Sequence, residues 1–177
     1  GTVVAAASEP EHLVTNGMSK YSRNERNANA AIVVGITPAD FPSAHPLAGI
    51  ELQRQLEAKA FILGGNNYCA PAQLIGDFLA NKPSKELGSV IPSYKPGVKL
   101  GNLADALPNY AIEAIREAIP EFNKKIRGFS MKDAIFTYSK DQLKQLSQDV
   151  LRFAQEKGAS DAVVDFSESA GLSVAVR

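Results

Sequence analysis

Pro108-Asn-Tyr-Ala-Ile-Glu-Ala-Ile-Arg-Glu-Ala-Ile-Pro-Glu-Phe-Asn-Lys-Lys-Ile-Arg127 carries the clearest periodic signal in the chain. Ile112, Ile115, Ile119, Phe122 and Ile126 follow one another at alternating helical spacings of three and four, which puts them on a single face of an α-helix. Pro120 interrupts the pattern. It cannot donate to the carbonyl of Arg116 and it crowds that turn, so a kink or two abutting helices is expected over 108–127. Strand-like runs lie far from this helix, toward the chain's start. Segregated strands and helices specify an α+β fold: a β-sheet packed by several helices, followed by a small αββ tail.

Two more helices precede it. Over 46–63, Leu52, Leu56, Ala60 and Leu63 share a face. Pro46 is tolerated in the first turn and Gly64-Gly65 stop the helix. A second helix is expected from Pro71 to Ala80, with Leu74, Ile75, Phe78 and Leu79 inward. Pro83, Gly88, Pro92, Pro96 and Gly97 make 82–101 a long irregular connection. In the first third, residues 2–7 and 12–15 read as a β-hairpin around Ser8–Glu11, with Asn16-Gly17 as a turn. Ala30–Thr37 is a buried-strand candidate closed by Pro38. Beyond the quoted helix, Ser139 and Gln142 form a capping-box pair for a helix over about 140–157, ended by Gly158. Residues 162–166 and 172–176 read as a closing hairpin.

The chain has 177 residues, 45% hydrophobic and 21% charged, which is globular in character. Basic and acidic residues balance at 19 each. Counting along the sequence, residues 1–130 hold 13 basic and 12 acidic side chains, and residues 131–177 hold 6 and 7. Neither part has the basic excess of a nucleic-acid binder or a polybasic membrane patch. No apolar run approaches the roughly 20 residues of a membrane span. Cys69 is the single cysteine, so no internal disulfide can form, which fits a reducing, cytoplasmic setting. The first residue is Gly1 and the last Arg177, and both ends look cut.

The chemistry-bearing motifs are sparse. There is no G-x-G-x-x-G and no P-loop, so no glycine-rich turn opens a helix toward a phosphate. His12, His45 and Cys69 do not make a metal-ligand set, and no metal is expected. Cys69 reads as a small buried hydrophobe. Asn16-Gly17-Met18-Ser19 has two readings: a loop presenting amides, a hydroxyl and a thioether to a ligand, or a hairpin turn followed by a buried Met. Arg23, Arg26, Asn27 and Asn29 are either a polar wall for an anion or a solvated loop. Lys124, Lys125 and Arg127 complement the negative end of a helix dipole. No catalytic residue can be assigned.

Several stretches in order resemble a known family: Gly1–Ala7 (GTVVAAA), Val14–Ser19 (VTNGMS), Ala28–Val34 (ANAAIVV), Pro46–Gly49 (PLAG), Lys59–Phe61, Ala70–Gln73 (APAQ), Ser93–Gly97 (SYKPG) and Leu107–Phe129. Together residues 1–136 resemble the central, substrate-side region of uncharacterised bacterial FAD-dependent dehydrogenases, also described as NAD(P)/FAD-dependent oxidoreductases. The resemblance implies a parent flavoprotein that uses FAD, with the dinucleotide held by segments outside this chain. This piece alone would then bind no cofactor and be inactive. The same resemblance implies a small-molecule substrate, with Asn16, Gly17, Met18, Ser19, Arg23 and Asn29 as substrate- or flavin-facing candidates.

The last stretch departs from that pattern. Tyr138–Leu143, Lys157–Ala162 and Gly171–Arg177 resemble the N-terminus of the PmbA/TldE family, components of a bacterial metalloprotease system. The expected organisation is therefore 1–130 as a substrate-side insert domain and 131–177 as an αββ tail, with a junction near Met131–Thr137. If the tail is the functional signature, the partner is a protease-system subunit. A non-catalytic binding domain is the remaining alternative.

Overall fold

The computed structural model describes residues 1–30, 32–138 and 174–175. In chain order the elements are β1 (Thr2–Ala5), β2 (Thr15–Met18), α1 (Ala48–Leu63), β3 (Ala70–Leu74), α2 (Ile75–Leu79), β4 (Val98–Leu100), α3 (Asn109–Lys125), β5 (Ile135–Thr137) and β6 (Val174–Ala175). Short 3-10 turns lie at Pro38–Asp40 and Leu103–Asp105. The strands form an antiparallel β1–β2 pair and a four-stranded sheet in the order β4-β3-β5-β6. Within that sheet β3 is parallel to β4 and antiparallel to β5, and β5 is antiparallel to β6. The fold is α+β.

α1 and α3 form where the apolar spacing places them. Leu56, Ala60 and Phe61 of α1 are buried. The helix stops at Gly64, where a Cβ would run into the Cys69 carbonyl, and Gly65 continues at φ +99°. α3 buries Ala111, Ile112, Ile115 and Ile119. It runs as one helix through Pro120 rather than as two. Pro120 faces solvent, where the Arg116 carbonyl it leaves unbonded can be hydrated. The apolar face leaves the core in the last turn: Phe122 is 37% exposed and Ile126 58%.

Three expectations are corrected. Residues 70–74 are strand, not the first turn of a helix, and α2 begins only at Ile75. Ladders on both sides override the local helical pattern, with Ala72 opposite Leu100 on β4 and Thr137 on β5. The first hairpin exists, but its second strand is 15–18 rather than 12–15. Asn16 and Gly17 therefore lie in the ladder opposite Val4 and Val3 and make no turn. Leu13 and Val14 precede the strand as core residues. Finally, residues 32–37 form no strand. The alternation survives, with Ile32 and Ile36 buried and Val33 exposed. Among the described residues, however, no backbone ladder engages this segment.

One main core joins the layers through Leu13, Ile32, Phe61, Phe78, Ile115, Ile119, Phe136 and Tyr138. Phe78 and Phe136 meet edge to face at 5.1 Å, a favoured aromatic geometry. The 82–97 connection is stitched to this body at intervals. Ser84 Oγ accepts from Leu74 N–H and donates to Asp77, and the Ser89 hydroxyl and N–H both donate to Asp133. Tyr94 donates to the Tyr68 carbonyl. Tyr138, just after β5, accepts from both N–H and Oγ1 of Thr15, which ties the two sheets together. The helix expected over 140–157 with its Ser139–Gln142 box and Gly158 cap, and the strand over 162–166, lie outside the described residues. Of the expected 172–176 strand, Val174–Ala175 pair with β5.

Candidate functional site

The open ends of β1 and β2 converge with the 19–29 segment and with Ile91–Ser93 to make one polar corner. Met18 closes β2 and is 48% exposed. The Asn29 side chain lies across it, its Nδ2 donating to the Met18 carbonyl at 3.5 Å. It also covers the start of β1, where a Cβ on Gly1 would overlap the Asn29 amide. Asn27 is buried, and its Nδ2 donates to the Ile91 carbonyl at 2.8 Å. Arg26 reaches the Ile91 and Pro92 carbonyls at 3.3 and 3.5 Å. Ser93 Oγ accepts from the Val3 N–H at 2.9 Å. The corner is therefore braced from both sides by side chain to backbone bonds.

Of the six candidates, Asn16, Gly17, Met18 and Ser19 are contiguous along and just past β2, and Asn29 joins them. Arg23 stands on a tight turn closed by its own N–H to the Lys20 carbonyl, at φ +50°. It makes no hydrogen bond or ion pair with the other five among the described residues. A non-glycine residue in that left-handed region is uncommon and marks a constrained turn. Lys20 and Glu25 pair at 2.5 Å across the same loop, and this partner holds the Glu25 carboxyl below the usual carboxylate range. With that pair neutral, Arg23 and Arg26 leave the loop locally basic.

Met18 is exposed, not the buried Met of the simpler reading, and Asn16 and Gly17 are strand. The polar wall is split: Arg26 and Asn27 brace the Ile91–Pro92 strap, whereas the exposed Arg23 makes no hydrogen bond to it among the described residues. Sequence reasoning missed the strap itself. Ile91, 58% exposed, and Ser93 belong to the corner through contacts some 65 and 90 residues apart in sequence, and nothing local signals them.

Other candidates are structural. Cys69 is half-buried rather than fully buried, its Sγ at 3.2 Å from the Pro96 carbonyl. His12 bonds the Pro10 carbonyl, and His45 Nδ1 accepts from Leu47 N–H. No group of three metal-ligating side chains occurs among the described residues. Lys124 pairs with Glu121 at 2.6 Å on the surface of α3. A cavity of about 10 Å³ behind β1, lined by Val3, Tyr94, Val98 and Ile135 among others, holds at most one water. No described helix is long and apolar enough to cross a membrane.

An α+β domain whose described helices all begin without a glycine-rich turn lacks the usual cradle for dinucleotide phosphates. α1 follows Leu47, α2 follows β3 directly, and α3 follows Pro108. Gly76, inside α2, is needed for packing, since a Cβ there would press on Lys132. Residues 1–140 match the family described as FAD-dependent protein, C-terminal domain-like, and the chain belongs to that family. An uncharacterized protein of Clostridium beijerinckii is 52% identical over 137 residues, which is 77% of this chain. The chain spans 26% of that relative's length, about a quarter.

Proposed function

We propose that this chain is the part of an FAD-dependent oxidoreductase, of dehydrogenase type, that covers the substrate side of the flavin. The observation that carries this is the family match over residues 1–140 in a domain whose described helices offer no phosphate-binding turn. The residues present fit one end of FAD and not the other. The phosphates need a glycine-rich strand–turn–helix, which segments outside this chain would supply. The corner at Met18, Ser19 and Asn29 offers amide, hydroxyl and thioether groups suited to a flavin ring or a small substrate. Bound there, the flavin would supply hydride transfer, and the protein would orient the reactants and exclude water. Asn29 would position a ligand at the end of β2, and Arg23 would favour an anionic one.

The purified 177-residue chain is expected to be colourless. A stoichiometric yellow flavin retained through purification would show that it holds FAD by itself and would overturn this division of labour. The Clostridium relative, about three times as long, is expected to carry flavin.

The two-unit organisation, 1–130 and 131–177, belongs to this proposal, as does the resemblance of the second unit to the PmbA/TldE N-terminus. The family match ending at residue 140 supports a change of character in this region. The packing of the first unit carries on through β5 to Tyr138. A cytoplasmic setting and a small-molecule substrate complete the reading.

A further inference from the structure

The β1–β2 ladder leaves the N–H and C=O of one residue on the outer edge of β2 without a partner among the described residues. In an antiparallel pair, opposed residues alternate between exchanging both hydrogen bonds and turning N–H and C=O outward. Ala6 N–H donates to the Val14 carbonyl at 2.9 Å, which sets the phase of the ladder. Val4 with Asn16 and Thr2 with Met18 are then exchanging pairs, and Val3, Ala5, Thr15 and Gly17 face outward. Two outward N–H groups agree: Val3 donates to Ser93 Oγ at 2.9 Å and Thr15 to the Tyr138 carbonyl at 3.2 Å. On the outer edge of β2, Thr15 is thus engaged. Gly17 carries no outward hydrogen bond among the described residues, although it is half-buried. Unpaired main-chain groups in such a place call for a partner.

We propose that the outward N–H and C=O of Gly17 receive the imide edge of a flavin ring. That edge runs carbonyl, N–H, carbonyl, so it offers a donor beside an acceptor. A strand residue facing outward offers an acceptor beside a donor, which is the complementary set. Gly17 has no side chain to hold a flat ring away. Met18, next in the strand and half-exposed, supplies a polarizable thioether, which favours contact with aromatic rings. Asn29, bonded to the Met18 carbonyl, limits where the ring can lie. This assignment rests on the flavin reading above and deepens it by naming the atoms that recognise the ring.

The test uses the full chain labelled with ¹⁵N-glycine and titrated with flavin mononucleotide, then with its N3-methyl derivative. The Gly17 amide resonance should move and saturate with the first probe. N3-methylation removes the donor to the Gly17 carbonyl and should weaken binding about tenfold, the factor set by one hydrogen bond. Asn29→Ala leaves the ladder intact and should also weaken binding. Equal affinity for both probes, shifts that bypass Gly17, or no shift at millimolar flavin each overturn the assignment. Flavin content of the longer Clostridium relative is measured in parallel. If it is yellow while Gly17 stays silent, the edge assignment alone fails. If it is colourless while Gly17 responds, the oxidoreductase reading alone fails.

Discussion

Gln73 is fully buried in β3, and both ends of its amide are used. Its Oε1 accepts from Leu103 N–H at 2.9 Å and its Nε2 donates to the Lys82 carbonyl at 2.8 Å. It thereby fastens both ends of the irregular connection to the central strand. Gln73→Leu keeps the bulk but strands a buried N–H and a carbonyl, so we expect a loss of about 2 kcal/mol in urea unfolding. An unchanged midpoint would show that water replaces the amide. Tyr138 presents the opposite case. Its ring is buried, its hydroxyl has no hydrogen-bond partner among the described residues, and burial, with nearby Glu57, pushes its ionisation far up. Tyr138→Phe removes an unsatisfied polar atom and should be neutral or stabilising, by up to about 1 kcal/mol or ~2–4 °C. A clear drop in Tm would mean that the hydroxyl is engaged. Two carboxylates give the chain an acid limit. The Ser84 hydroxyl, with Lys82, lowers Asp77, and the hydroxyl and N–H of Ser89 lower Asp133. A depressed folded value stabilises above the ordinary aspartate value of 3.8 and is lost as pH falls below it. Stability should therefore fall in that acid window, and Asp77→Asn with Asp133→Asn should flatten the fall. A wild-type slope retained in the double variant would place the acid sensitivity elsewhere.

At the scale of elements, the sequence speaks where a single face decides and falls silent where a distant partner decides. α1 and α3 were legible because their apolar spacing is local and each buries one stripe against the core. Residues 70–74 were not. Pro71 followed by Leu74, Ile75 and Phe78 matches a helix start, yet β4 and β5 pair with the segment from both sides. Asn16-Gly17 fails as a turn for a related reason: the register that buries Val3 and Thr15 demands these residues in the ladder. Residues 32–36 keep the period of a strand without a ladder among the described residues, so pattern alone overstated them. In the site, the β2 half and Asn29 were readable as polar residues near a glycine. The Ile91–Ser93 strap was not, because ordinary loop residues become part of the corner only through Asn27 and Val3. α3 also offers a test. Pro120 lies on its solvent side and denies the Arg116 carbonyl its partner. Pro120→Ala should restore that bond and stabilise the chain by about 1–2 kcal/mol, less than the full helix-interior cost because proline also restrains the unfolded chain. Ile115→Ala, on the buried face, should cost about 3 kcal/mol. If both substitutions shift the unfolding midpoint in the same direction, the assignment of faces is wrong.

For the whole molecule, the decisive question is where the family-like body ends. The proposed junction lies near Met131–Thr137, whereas the family match runs through it to residue 140. Physical closure of the body can be located independently. β5 contributes Ile135, Phe136 and Thr137, all buried, and completes the antiparallel side of β3. Phe136 also supplies the ring against Phe78. Tyr138 then carries the Thr15 bonds that join the hairpin to the main sheet. A chain stopped at residue 130 would lose all of these and expose the faces of Phe78 and β3. Each of the two lost aromatic side chains alone is worth about 3 kcal/mol or more, against a total stability of about 5–15 kcal/mol. We therefore expect a 1–130 chain to lack a cooperative unfolding transition. A 1–138 chain loses the short pairing of Val174–Ala175 with β5 but should still melt cooperatively, within a few degrees of the full chain if that pairing is all that ties residues beyond 138 to the body. Should 1–138 melt far below the full chain, the later residues are part of one integrated fold. The separate tail, and with it the protease-like reading of residues 131–177, would then have to be abandoned. The polar corner would survive either result, because Met18, Asn29 and the Ile91–Ser93 strap are held by bonds that lie wholly within residues 1–138.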